Sequence, residues 1–337
     1  MRRPVSCPVV DSVEVVTVGH ALVDVVARAD DAHVAGLGLD KGTMTLVDDE
    51  ASERIYASLP EVTTVSGGSA ANTAVGLAAF GRRTAFIGKV RDDELGRVFA
   101  EDICGAGVHF AVAAATDGPG TGRSMILVTP DAEKTMCTNL GAGDLIGPDD
   151  VDVELVERAD VVYLEGYLCG LPHTDPTVKT ILAAADRGGT TVALSLSDPL
   201  WVELHGAELA ALLPRVDILF ANEQEACGIA GTPHLDRALD TLAESCPTVV
   251  VTRGPSGCVT RRHGRHTAVD AAPVERVVDT TGAGDTFAAG FLHGLLLTGD
   301  AEAAARLGSL ASAEVIGHLG ARPRRTLQHL TAHAGIG

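Results

Sequence analysis

The chain has 337 residues, 46% of them hydrophobic and only 3% aromatic, and a formal net charge of −19. That charge excludes a broad nucleic-acid or anionic-lipid surface, since both are bound through clustered Lys and Arg. So apolar a chain with so few rings implies a core of Ala, Val and Leu, as in a parallel sheet packed between helices. No run of 18 apolar residues lacks charge, so no membrane span is expected. Residues 1–12 have no apolar stretch of signal-peptide type and read as an N-terminal extension. The seven cysteines (Cys7, Cys104, Cys137, Cys169, Cys227, Cys246, Cys258) are odd in number and form no Cys-x-x-Cys. They read as free thiols in a reducing cytoplasm.

In chain order, the apolar run 13–19 reads as a buried strand and ends in Gly19-His20-Ala21-Leu22-Val23-Asp24. Residues 25–65 then mix β-like segments with Gly36, Gly38 and Gly42. Ser66-Gly67-Gly68-Ser69-Ala70-Ala71-Asn72 opens a helix pattern over 70–80; its small residues let a ligand lie against backbone, and Asn72 offers a donor and an acceptor. Strand 84–88 and helix 94–104 follow. A second interruption, 107–139, carries Gly118, Pro119, Gly120 and Gly122 before the strand-like 124–129.

Strands at 161–165, 191–196, 217–221 and 248–252 then alternate with helices at 177–187 and 236–244. Asn222-Glu223-Gln224-Glu225 follows strand 217–221 and has the form of an Asn helix cap. Thr252-Arg253-Gly254-Pro255-Ser256-Gly257 closes strand 248–252, and His263-Gly264-Arg265-His266 reads as a hairpin tip. Helices over 283–297 and 301–318 end the pattern, and Arg322-Pro323-Arg324-Arg325 reads as a basic cap on the last helix. Alternating strands and helices indicate an α/β fold around a largely parallel sheet, with right-handed crossovers and a ligand at the carboxyl ends of the strands.

The most telling stretch is Asp279-Thr280-Thr281-Gly282-Ala283-Gly284-Asp285-Thr286-Phe287. Small residues at a helix entrance free backbone N–H groups for an anion, and the carboxylate beside them can serve as a base. Phosphoryl transfer needs that pairing.

This stretch resembles the C-terminal signature of the PfkB/ribokinase family of carbohydrate and nucleoside kinases, and the Gly67-Gly68 segment resembles its N-terminal one. The resemblance covers about residues 13–323. It implies a ribokinase-like α/β domain over 13–330, with segments 25–65 and 107–139 forming a small β-sheet lid over the acceptor. It implies ATP-dependent phosphorylation with Mg²⁺, and with K⁺ as activator. Asp285 would be the base, and Gly282, Ala283 and Gly284 the anion hole. Asp24, Gly67, Gly68, Asn72, His20 and Asn139 would hold the acceptor; where many relatives carry Asn, this chain has His20. Asn222, Thr252, Gly254, Gly257 and Ser312 would lie on the ATP side, Glu225 would organise Mg²⁺ through water, and Asp279 and Thr281 would form a K⁺ loop.

The runs 41–46, 134–140, 163–167 and 195–199 look most like bacterial adenosine kinases of this family. They imply adenosine as acceptor at its 5′-hydroxyl, with Tyr167 or Trp201 as rings for the purine. The alternatives are a sugar (ribose, fructose or 2-keto-3-deoxygluconate) or a catalytically silent nucleotide sensor, against which the intact Asp285 argues. The expected partners are small molecules alone, in a cytoplasmic monomer or a homodimer through the lid.

Overall fold

The computed structural model describes residue 7 and residues 12–131 and 133–336. Of the extension expected over 1–12, only Cys7 and Ser12 fall within the described residues. The strands are β1 (Val15–Val18), β2 (Leu22–Arg28), β3 (Met44–Leu46), β4 (Val62–Gly67), β5 (Thr84–Ile87), β6 (Thr121–Val128), β7 (Lys134–Gly141), β8 (Val161–Glu165), β9 (Thr191–Ser195), β10 (Ile218–Asn222), β11 (Thr248–Thr252), β12 (Cys258–Arg262) and β13 (Arg265–Val269). The helices are α1 (Asp31–Gly36), α2 (Asp49–Ser58), α3 (Ser69–Ala79), α4 (Glu94–Gly105), α5 (Val153–Arg158), α6 (Asp175–Gly188), α7 (Pro199–Leu212), α8 (Glu223–Ile229), α9 (Leu235–Ala243), α10 (Ala283–Thr298), α11 (Ala301–Val315) and α12 (His329–His333).

Eight strands make the main sheet, in the order β13-β12-β11-β10-β9-β8-β1-β5. From β11 to β5 all pairs are parallel, and β12 and β13 add an antiparallel edge. The parallel strands are nearly continuous apolar runs because helices cover both faces; β1, Val-Val-Thr-Val, is buried at every position. One apolar cluster unites β1, β8 and β10 with α3 and α10, and another packs α6, α7 and α9 on the opposite face. The β12–β13 hairpin turns at His263 and Gly264, both left-handed (φ 48° and 78°), as the expected tip requires.

The second sheet has five strands in the order β3-β7-β6-β2-β4. Between 25 and 65 the chain forms two helices, α1 and α2, as well as strands. Within 107–139 only β6 and β7 join this sheet; residues 109 and 115 instead run beside the core, bridging to Ala85 and Arg91. Register divides the sheet into two faces. Val23, Val25, Ala27, Met125, Leu127 and Cys137 are buried. Asp24, Val26, Val65, Ser124, Ile126, Met136, Thr138, Met44 and Leu46 share the other face, several of them incompletely buried.

Cys7 and Cys104 are joined in a disulfide across a sequence separation of 97, which corrects the expectation of seven free thiols. Spacing alone does not reveal such a long-range pair. The other five cysteines are free. Among the described residues no helix is long and apolar enough to cross a membrane.

Candidate active site

The two Gly-rich signatures meet where α3 and α10 start. Gly68 caps α3 at φ 93°, and Gly282 caps α10 at φ 74°. Both are in the left-handed region, and a side chain on either would strike backbone: His20 O at Gly68, Ala321 at Gly282. No side chain caps α10, so its first turn presents N–H groups to the cleft.

Asp285 stands in that first turn. Its carboxylate accepts from Ser69 Oγ at 2.7 Å and from Asn72 Nδ2 at 3.0 Å. Burial pushes its pKa up to about 6, and those two hydrogen bonds limit the rise. The group is therefore ionised near neutrality yet basic enough to take a proton. Asp24 approaches from β2, with Gly67 backbone packed against its carboxyl group. Burial raises its pKa to about 7; Arg322 pulls it down and Asp285 pushes it up.

A cleft of about 320 Å³ runs along Ser195, Ser197, Asn222, Glu225 and the turn Gly282–Asp285. It shares Thr252, Thr280, Ala283, Gly284 and Phe287 with a larger, mostly apolar cleft of about 640 Å³. Gly254, Gly257 and Ser312 line the larger one, so the residues expected on the ATP side converge on one continuous space.

Asn222 and Glu225 form a reciprocal cap. Asn222 Oδ1 accepts from Glu225 N at 2.8 Å; Glu225 accepts from Asn222 N at 2.9 Å and from Nδ2 at 2.7 Å. Burial raises the Glu225 pKa to about 7. Among the described residues no cluster of three or more His, Cys, Asp or Glu could hold a metal ion. That donor set suits Mg²⁺, which keeps its waters and takes one or two carboxylates together with phosphates. Glu225 retains lone pairs for such a water.

The residues expected to hold K⁺ are differently engaged. Asp279 Oδ1 accepts from Thr281 N at 2.9 Å and from Thr281 Oγ1 at 2.6 Å, and Oδ2 accepts from Gly320 N at 2.9 Å. The Lys134 ammonium, from β7 of the second sheet, pairs with Oδ1 and donates to Thr281 Oγ1 at 3.2 Å. Burial would raise the Asp279 pKa, but these donors hold it near 2. With Lys134 in this position, the site does not fit a second cation.

One expected acceptor contact, His20, is corrected, and a second, Asn139, has its amide nitrogen engaged elsewhere. His20 is 1% exposed and both ring nitrogens face carboxylates, Nδ1 at 2.8 Å from Glu165 and Nε2 at 3.0 Å from Asp144. Burial opposes its charge, but the two carboxylates raise its pKa to about 9. It has no group left for an acceptor. Glu165 also accepts from Ala70 N at 3.0 Å, so the pair fixes the start of α3 against the end of β1. Asn139 donates to Val47 O at 3.1 Å and to Asp49 Oδ1 at 3.0 Å, both inside the lid. Trp201 is buried, with Nε1 donating to Cys169 O and Tyr167 packed edge-on against it at 5.5 Å, so it is not free to stack on a base.

Sequence reasoning missed Arg322, Lys134 and Glu165. Arg322 does not cap a helix: Nε donates to Asn72 Oδ1 at 3.0 Å and Nη1 donates to Ser66 Oγ. Glu165 had a signal, being a carboxylate at the carboxyl end of a strand.

The profile of the pfkB family carbohydrate kinases matches residues 13–327. The solved adenosine kinase of Sinorhizobium meliloti is 41% identical, with a TM-score of 0.89 over 96% of this chain and 99% of that one. A probable sugar kinase of Rhizobium etli CFN 42 is 38% identical, with a TM-score of 0.90 over the same shares. The ATP-dependent ribose-1-phosphate kinase of Halopiger xanaduensis is 30% identical, over 95% of this chain and 97% of that protein.

Proposed function

Because the chain belongs to the pfkB family of carbohydrate kinases, ATP-dependent phosphotransferases with a hydroxyl acceptor, we propose that its acceptor is a purine nucleoside, adenosine in the first place, phosphorylated at the 5′-hydroxyl. The observation that carries this reading is the open face of the lid sheet. Beside Asp24 it presents Val26, Val65, Ile126, Met136 and Met44 near its middle, with Ser124, Thr138 and Thr63 among them and Arg28 and Lys134 at one end. A free sugar is hydroxylated all round and gains little from such a surface. A purine has two broad apolar faces to cover, and aliphatic side chains can cover them where no ring is free.

In this reading Asp24, Gly67, Gly68 and Asn72 hold the ribose. Asp285 takes the proton of the primary hydroxyl as its oxygen attacks the γ-phosphorus, the bond from that phosphorus to the β–γ bridging oxygen breaks, and ADP leaves with the electron pair. The amides of Gly282–Asp285 face the charge on the transferred group. Thr252, Gly254, Gly257 and Ser312 border the nucleotide, whose adenine suits the apolar cleft. Mg²⁺ bound with ATP would supply charge neutralisation on the phosphates, and Glu225, with Asn222, would hold it through water.

The test is side-by-side kinetics on adenosine, inosine, ribose, fructose and 2-keto-3-deoxygluconate at saturating MgATP. Adenosine should exceed ribose in kcat/KM by at least about a hundredfold, or about 2.7 kcal/mol of transition-state binding. If a free sugar is best, the nucleoside assignment fails while the phosphoryl-transfer site stands.

A further inference from the structure

Arg322 lies in the turn after α11, outside every motif that carries the reaction. Besides its bonds to Asn72 and Ser66, it has Asp102 at 3.7 Å, and its side chain is 12% exposed. Its Nη2 is buried and has no hydrogen-bond partner. A buried guanidinium N–H without an acceptor is uncommon and unfavourable.

The guanidinium has a definite place. Ser66 precedes Gly67, whose backbone lies against the Asp24 carboxyl group. Asn72 is shared between Arg322, which it accepts from, and Asp285, which it donates to. The free N–H thus belongs to a guanidinium that is bonded to Asn72 and Ser66 and acts on the charges of both Asp24 and Asp285.

We propose that Arg322 is a specificity-determining residue that reads a vicinal diol: its Nη2 donates to one secondary hydroxyl of the acceptor while Asp24 accepts from the adjacent one. The inference rests on the nucleoside reading for its choice of substrate. A site built to hydrogen-bond a hydroxyl rejects the analogue that lacks it, because the buried partner is then stranded.

The experiment compares kcat/KM for adenosine, 2′-deoxyadenosine and 3′-deoxyadenosine in the wild type, Arg322→Met and Arg322→Lys, with a thermal melt on each protein. The wild type should disfavour at least one deoxynucleoside by about a hundredfold or more, and Arg322→Met should compress that ratio to about threefold while losing activity on adenosine. Arg322→Lys keeps the charge but not the fork, and should compress it too. A uniform loss on all three substrates, with discrimination intact, would overturn the proposal and leave Arg322 as a support for Asn72. So would a wild type that accepts the deoxynucleosides as well as adenosine, a result that needs no variant to fold. If adenosine is a poor substrate altogether, the nucleoside reading fails, and ribose against 2-deoxyribose judges Arg322 separately.

Discussion

At the scale of single residues, the site is a carboxylate whose basicity is set by its neighbours. Asp285→Asn keeps the shape and removes proton acceptance, so kcat should fall about 10²–10⁴-fold, with ATP binding nearly unchanged in a titration. The same group fixes the acid side of the pH profile. Its pKa is raised to about 6, and that of the interacting Asp24 to about 7. Because the base works deprotonated, kcat/KM should climb with pH through this range, as a joint titration of the two. A rate that stays flat well below pH 6 would remove Asp285 from the role. These residues were legible because Gly282 to Asp285 are contiguous and their chemistry is local. Arg322 was not, since its hydrogen bond to Asn72 spans 250 positions. Nor was the use of His20, whose partner Glu165 is 145 positions away.

At the scale of elements, the long parallel strands were readable as continuous apolar runs, and their ends moved by a residue or two. The lid helices were not anticipated. α1 has 6 residues, and α2 has 10, capped by Asp48 with Asp49 and Glu50 in its first turn. That signal was present, but the surrounding glycines outweighed it. β7 carries the most consequential surprise, because its Lys134 ties the second sheet to Asp279 in the turn before α10. Lys134→Met should free Asp279 for a monovalent ion. At fixed ionic strength, replacing tetramethylammonium by K⁺ should therefore raise the variant's rate more than the wild type's. An equal response in both enzymes would show that the ammonium and the ion do not compete.

At the scale of the molecule, two sheets of different composition are joined at Gly19–Ala21, where β1 of the core passes directly into β2 of the lid. The Cys7–Cys104 disulfide ties Cys7 to the end of α4. Thiol titration of the unreduced, unfolded protein should find the five free cysteines and not seven. Seven reactive thiols would mean the pair is not bonded.

Asp24 rides on the lid, whereas Asp285, its amides and both clefts belong to the core. On the proposed reading, part of the choice of acceptor is thus written in the second sheet, and part, through Asn72 and Arg322, beside the residues of transfer. On that reading, substitutions along β2 and β6 would alter the acceptor side while leaving the Gly282–Asp285 turn in place. In descent, this lets one scaffold diverge by revising its roof. Proteins similar to this chain over nearly their whole length do carry names for adenosine, for sugars and for ribose 1-phosphate. Grafting lid strands between such relatives should transfer acceptor preference with the strands.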